Sequence, residues 1–337
     1  MNLEKQYFIT GGSGFIGFHL HRLFGDNNIV NFDITEPTFD YSSVFFKGDI
    51  CKYADIDAAL DLNKCDTIIH LAAKHGDFSI SEAEYFRVNE FGMAQIIKAA
   101  TKHAIKQIIF FSSVAVYGNN LEPSTELTPP NPNNPYGASK LAAEKLLTAW
   151  AAADAARCAV IIRPAYVYGE RNFANMYRLL QMIESNRYVH IGSKPVIKSI
   201  AYVENLALAV QFLIERMTHG ITIYNYADEP QIASHDIAEY FAKYLGKRKI
   251  RTVPYFLVYP FAMAFDLLSR LTGRDYSINV ARLDKFLTAT HHTSVRFKAE
   301  KFEPIYDNQE GLRRMAYWYL NRNIKSEAIP KKTVVAL

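Results

Sequence analysis

Tyr136 and Lys140 stand four residues apart in Tyr136-Gly137-Ala138-Ser139-Lys140. On a helix that spacing puts a phenol and an ammonium on one face, with about 5–6 Å between their Cβ atoms. The ammonium favours the ionised form of a neighbouring phenol, whose pKa is otherwise about 10. Such a tyrosine can take a proton from an alcohol near neutral pH. Alone, the pattern also occurs by chance on exposed helices. It gains specificity from Phe111-Ser112-Ser113-Val114-Ala115-Val116-Tyr117-Gly118, which follows a strand-like run upstream. A hydroxyl at the carboxyl end of a strand could bond the same substrate oxygen that the tyrosine deprotonates.

These groups need elements to hold them. Tyr7–Thr10, Ile29–Asp33, Thr67–Leu71, Ile108–Ser112 and Val160–Arg163 are short apolar runs rich in β-branched and aromatic residues. Helical patterns over Ile16–Phe24, Ser81–His103 and Tyr136–Ala152 alternate with them. The alternation predicts an α/β fold, a Rossmann-like doubly wound parallel sheet with helices on both faces. Leu121–Pro135 carries five prolines in fifteen residues and predicts a loop, with Asn133 or Asn134 capping the helix that Pro135 begins.

Between the first strand and the first helix runs Thr10-Gly11-Gly12-Ser13-Gly14-Phe15-Ile16-Gly17. Glycines at 11, 14 and 17 permit a sharp turn and let a pyrophosphate reach bare N–H groups at a helix N-terminus. Asp33 ends the second strand. A carboxylate there accepts hydrogen bonds from ribose hydroxyls and would repel a 2′-phosphate, so the expected dinucleotide is NAD rather than NADP. The positive nicotinamide of NAD+ would favour the Tyr136 phenolate as Lys140 does. Singly, each feature has a plainer reading, as a tight turn or a surface aspartate; together and in this order they specify a site.

Composition bounds the possibilities. The chain has 337 residues, enough for one large α/β domain and a smaller lobe. At 49% hydrophobic and 21% charged it reads as an ordinary globular protein. A net charge of +4, dispersed along the chain, gives no case for nucleic acid. Cys51, Cys65 and Cys158 have neither metal nor redox spacing, so reduced thiols, a cytoplasmic setting and no metal are expected. The N-terminal residues lack a leader pattern, and no apolar run approaches the ~18 residues of a transmembrane helix.

With these motifs in this order, the chain resembles the extended short-chain dehydrogenase/reductases, in particular the NAD-dependent epimerase/dehydratase family. The resemblance runs from Tyr7 to about Tyr319. It rests on Gly11–Gly17, Asp33, Gly48-Asp49-Ile50, His70-Leu71-Ala72-Ala73, Val88-Asn89, Ser112–Gly118, Tyr136–Lys140, Arg163-Pro164 and Tyr202-Val203-Glu204-Asn205. It implies that Ser113 is the catalytic hydroxyl beside Tyr136 and Lys140, that Asp49 contacts adenine and that Ala73 lines the cofactor cleft. It also places Gly11, Gly14, Phe15, Ile16, Gly17, Asp33, Ile50, Leu71, Ala72, Asn89, Ser112 and Pro164 at the NAD. A homodimer pairing the helices around Ser81–His103 and Tyr136–Ala152 is implied as well.

The related 4,6-dehydratases carry an acidic pair directly after the catalytic hydroxyl. Val114 and Ala115 stand there, and neither can move a proton. An epimerase needs no further acid or base. The expected function is therefore NAD-dependent 4-epimerisation, through a 4-keto intermediate, of a diphosphate-linked N-acetylhexosamine. A one-way 4-ketoreductase would use the same residues, although Asp33 counts against NADPH. A hydroxysteroid-type dehydrogenase shares the catalytic trio.

The carrier is a separate question. Lys198 and Tyr166 stand where nucleotide-sugar members usually have arginine and asparagine. Ala289-Thr290-His291-His292-Thr293 replaces an Arg-Pro-Gly-Asp-like segment common in those members. Tyr224-Asn225-Tyr226, a basic-then-apolar stretch and Leu271-Thr272-Gly273-Arg274 are similar to a bacterial subgroup that epimerises N-acetylglucosamine on polyprenyl diphosphate during surface-polysaccharide synthesis. A UDP-sugar substrate stays open as the alternative. His75 could face the sugar or sit in a solvated loop, and Arg171 could bind phosphate or form a surface ion pair.

Residues 1–168 and 199–227 are expected to form the NAD-binding domain, 169–198 and 228–322 the substrate lobe, and 323–337 a tail. Within the lobe, Val253–Phe265 is uncharged over thirteen residues, after Lys247, Arg248, Lys249 and Arg251 and before Arg270 and Arg274. At ~1.5 Å per residue it is too short to span a bilayer. It reads as a buried helix, which the pattern slightly favours, or as a helix at the inner face of the membrane with its basic flanks near lipid phosphates.

Overall fold

The computed structural model describes residues 5–76, 80–120, 122–192, 196–272, 280 and 288–322. Asp77, Leu121, the Gly273-Arg274 pair and the tail 323–337 lie outside the described residues.

The expected doubly wound sheet is present. Seven strands form it: β1 (Tyr7–Thr10), β2 (Ile29–Asp33), β3 (Val44–Lys47), β4 (Thr67–His70), β5 (Gln107–Phe111), β6 (Cys158–Pro164) and β7 (Gly220–Tyr226). All pair in parallel, in the order β7-β6-β5-β4-β1-β2-β3. The strands are apolar on both sides because both sheet faces are covered. Phe8, Val30, Ile68, Ile108 and Ile161 point to a core closed by α2 (Tyr53–Leu62), by α4 (Gly92–Lys102) and by α5 (Pro135–Ala152). Ile9, Ile29, Ile69, Ile109 and Ile162 point to the other, closed by α1 (Phe15–Phe24) and the Val203–Ile214 helix. Each fully buried Ile or Phe contributes about 1.5–3 kcal/mol. Chain direction reverses its lateral progress between β1 and β4, the crevice where such sheets bind ligands.

One helical stretch departs from regular geometry. Glu82–Tyr85 (α3) runs into α4 through a π-helical turn, Phe86–Phe91, which widens the helix around the buried Asn89.

The chain divides into two compact units. One comprises Met1–Val167, Ala201–Asp228 and His292–Ile305; the other comprises Tyr168–Ile200, Glu229–His291 and Tyr306–Leu337. Residues 292–305, expected in the smaller lobe, belong with the sheet. The cause is local bonding to its edge. The Ala227 amide donates to Ser294 Oγ at 2.9 Å, and Phe297 packs against the Tyr224 and Tyr226 rings at 4.9 and 5.4 Å. Glu126 accepts the Asn225, Val295 and Arg296 amides, fixing the start of the Val295–Ala299 helix.

In the smaller unit the helices Asn175–Glu184, Ser234–Tyr244 and Asn308–Asn321 pack together. Two short ladders, His190–Ile191 with Thr252–Val253 and Ile197–Lys198 with Ile232–Ala233, accompany them. The Tyr255–Thr272 helix buries Ala262 but leaves Phe256, Leu257 and Phe261 exposed. The uncharged segment is thus not a wholly buried helix. Among the described residues, no helix is long and apolar enough to cross a membrane.

Candidate active site

Asn134 caps α5 through Oδ1, which accepts the Gly137 amide at 2.9 Å, and Pro135 opens the first turn. A cap of this kind is worth about 1 kcal/mol. Gly137 has a separate reason to lack a side chain: a Cβ there would overlap the Ala115 carbonyl oxygen. The absent Cβ lets the first turn of α5, carrying Tyr136, pack directly on the turn Val114–Tyr117 that follows Ser113. Ser139 donates to the Tyr136 carbonyl at 2.8 Å and accepts from Asn89 Nδ2 at 2.9 Å. Asn89 in turn clasps the Lys74 backbone through both its N–H and C=O. The π turn therefore ties α5 to the loop that leaves β4. Such turns recur at functional sites.

Lys140 is fully buried one turn beyond Tyr136, on the same helical face. Its Nζ sits 4.3 Å from the centroid of the Phe110 ring, which lends a cation–π contact. Burial pulls its ammonium down to about 7, against the opposing charge of Glu144. His70 stacks on Phe110 and brings Nδ1 to 2.6 Å from Thr10 Oγ1. Burial, with Lys140's charge beside it, pushes the imidazole down to about 3, so the ring is neutral at physiological pH.

The two adjacent serines are used differently. Ser112 is buried, and its hydroxyl donates to Glu144 Oε1. Glu144 also accepts from both Nε and an Nη of Arg163. Arg163 donates to the Tyr117 hydroxyl at 2.7 Å, and that hydroxyl donates to Asn225 Oδ1 at 2.7 Å. Ser113 has extended backbone, and its Oγ accepts the Ala115 amide at 3.1 Å, which leaves its proton available to an acceptor outside the turn. The Ser112–Glu144–Arg163–Tyr117–Asn225 network joins residues far apart in the chain and has no local motif. One signal was in the sequence: Glu144 continues the Tyr136, Lys140 stripe at the next spacing of four.

The glycine loop fits a dinucleotide pyrophosphate. A Cβ on Gly11 would come within 2.6 Å of the Ala72 amide nitrogen, and one on Gly17 would overlap the Gly12 carbonyl. Gly11 also needs φ +74°, a region that disfavours other residues. The helix α1 begins at Phe15 after Gly14, which offers no side-chain cap, and it has no acid in its first turn, so its first N–H groups and positive dipole end suit an anion. Asp33 accepts the Ser13 and Thr35 amides at 3.2 and 3.0 Å. Burial raises its carboxyl, and those hydrogen bonds oppose the rise. Ile50 packs against the backbone of Gly92, and Asp49 accepts the Cys51 amide at 2.9 Å. Leu71 and Ala72 donate backbone N–H groups to the Thr10 carbonyl, which fixes the β4 exit beside the loop.

The remaining candidates are more scattered. His75 is exposed in the loop after β4. Tyr166 is half-buried in the Tyr166–Tyr168 strand. In the smaller unit, Arg171 has left-handed backbone at φ 68°, and Lys198 Nζ donates to the Thr288 carbonyl at 2.5 Å.

Residues 7–227 match the model of the NAD dependent epimerase/dehydratase family. An N-acetyl-alpha-D-glucosaminyl-diphospho-ditrans,octacis-undecaprenol 4-epimerase of Escherichia coli O157:H7 is 34% identical over 318 residues, 93% of this chain and 94% of that protein. A UDP-glucose 4-epimerase of Vibrio cholerae is 29% identical over 286 residues, 80% of this chain and 86% of its own. Among solved structures, a UDP-glucose 4-epimerase of Thermus thermophilus in complex with NAD superposes with a TM-score of 0.74 at 19% identity. That match covers 94% of this chain and 99% of the other.

Proposed function

The chain belongs to the NAD-dependent epimerase/dehydratase family, and from that premise we propose that it is a 4-epimerase of N-acetylglucosamine carried on polyprenyl diphosphate. The observation that carries epimerisation is the turn after Ser113, where Val114, Ala115 and Val116 offer no group that can move a proton. Elimination of water would need such a group; inversion does not.

The residues divide the work as follows. The glycine loop and the start of α1 hold the pyrophosphate of the NAD, and Asp33 its ribose. When bound, NAD supplies hydride acceptance and return at the carbon bearing the hydroxyl. Tyr136 takes the hydroxyl proton as that carbon is oxidised and gives it back when the ketone is reduced on its other face. Ser113 donates to the same oxygen and holds it in line with Tyr136. Lys140 follows Tyr136 by one turn on the same face of α5, with burial setting its affinity for a proton close to neutrality. Glu144 and Arg163 keep α5 locked to β5 and β6, so the proton-handling face does not drift.

The lipid carrier is supported by similarity along nearly the whole chain to the Escherichia coli O157:H7 protein. On this reading the enzyme works in the cytoplasm, at the inner face of the membrane, in surface-polysaccharide synthesis, and as a homodimer. A UDP-sugar 4-epimerase or one-way 4-ketoreductase is the second reading, favoured by the likeness to the Vibrio cholerae protein. The test is incubation with polyprenyl-diphosphate N-acetylglucosamine, and separately with UDP-N-acetylglucosamine, at catalytic NAD+. Inversion of the lipid-linked sugar alone supports the proposal. Inversion of the UDP-sugar alone transfers it to the nucleotide carrier.

A further inference from the structure

The Tyr255–Thr272 helix turns its apolar side outward. Phe256 is 70% exposed, Phe261 67% and Met263 53%, and Leu257, Pro260, Ala264 and Leu268 are exposed too. At 3.6 residues per turn these seven fall within one arc of roughly 160°. Buried Ala262 lies opposite, flanked by half-buried Val258, Phe265, Asp266 and Ser269. An ordinary surface helix has the reverse arrangement, apolar inward and charged outward. A contiguous exposed apolar face of this kind marks a binding surface.

The residues just before the helix suggest what covers it. Lys247-Arg248-Lys249-Ile250-Arg251 precedes the uncharged stretch. Arg248, Lys249 and Arg251 are exposed, and none of the four basic side chains makes an ion pair among the described residues. A second copy of the chain is a poorer occupant, since a two-fold interface centred here would bring two basic clusters together.

We propose that this face docks on an anionic lipid surface. The helix lies in the plane of the membrane, its apolar arc enters the headgroup boundary, and the basic turn meets lipid phosphates. The inference stands apart from the reaction proposed above, because its occupant is bulk lipid rather than a sugar carrier.

Flotation of the full-length protein with sugar-free vesicles tests it. Vesicles of equal parts phosphatidylcholine and phosphatidylglycerol should carry the wild type upward; phosphatidylcholine alone should not. The Phe256→Ser/Phe261→Ser variant should lose most of the bound fraction. Arg248→Gln/Lys249→Gln/Arg251→Gln should weaken partitioning about a hundredfold while thermal unfolding and NAD binding stay as in the wild type. Failure of the wild type to float overturns the proposal, as does equal flotation of all three proteins. So does a wild-type dimer that Phe256→Ser/Phe261→Ser converts to a monomer, which would assign the face to a second copy. If vesicles are bound but only the UDP-sugar is inverted, docking survives and the lipid-carrier reading falls.

Discussion

Lys140 occupies a place where a charged amine is costly, under Phe110 and out of water, and Glu144 on the next turn offsets part of that cost. On the proposed mechanism, Tyr136→Phe should lower kcat by about 10²–10⁴ and leave the dissociation constant for NAD close to wild type. Steady-state kinetics with fluorescence titration of NAD checks both halves. His70 gives a pH prediction. Its folded pKa is depressed to about 3 from 6.5, so the protein binds fewer protons folded than unfolded in between. The associated stability is complete above pH 6.5 and drains away as the pH falls toward 3. His70→Asn should flatten that limb by up to about 1.4 kcal/mol per pH unit in denaturant titrations. A limb of unchanged steepness would contradict it. At this scale the sequence exposed residues whose spacing is local, such as Tyr136 with Lys140. It hid Glu144 with Arg163 and Tyr117 with Asn225, pairs that meet only because the sheet brings distant strands together.

Between elements, the decisive contact is the bare α-carbon of Gly137 against the Ala115 carbonyl. Gly137→Ala should push the start of α5 off the Ser113 turn, with a loss of about 1–3 kcal/mol in stability and a fall in kcat greater than any rise in KM. Thermal unfolding together with kinetics reads both; an unshifted Tm and unchanged kcat would show that the packing tolerates a methyl group. The legibility of elements followed burial. Strands buried on both faces, such as Ile29–Asp33 and Val160–Arg163, announced themselves as apolar runs. Strand β3 did not, because Val44–Lys47 is an edge strand with exposed ends. Strand β7 did not either, since Gly220–Tyr226 mixes glycine, threonine and asparagine with its apolar residues and Asn225 serves the buried network. The π turn was invisible because Ser81–His103 keeps a helical period throughout.

For the whole molecule, the order of the motifs announced a dinucleotide-binding sheet, whereas the assignment of 292–305 depended on Phe297 and Ser294 meeting the β7 edge, contacts with no local signature. The uncharged 253–265 stretch shows the same limit: composition described the segment, and which way it faces came from the packing of Ala262. The central claim is that one carbon is oxidised and reduced in place, with Tyr136 holding the proton meanwhile. It is tested most directly by turnover of polyprenyl-diphosphate N-acetylglucosamine in deuterated water, followed by NMR of the sugar. The account predicts both 4-epimers, no deuterium at carbon 4 and no accumulating NADH. Deuterium at carbon 4, or one NADH released per sugar converted, would contradict it.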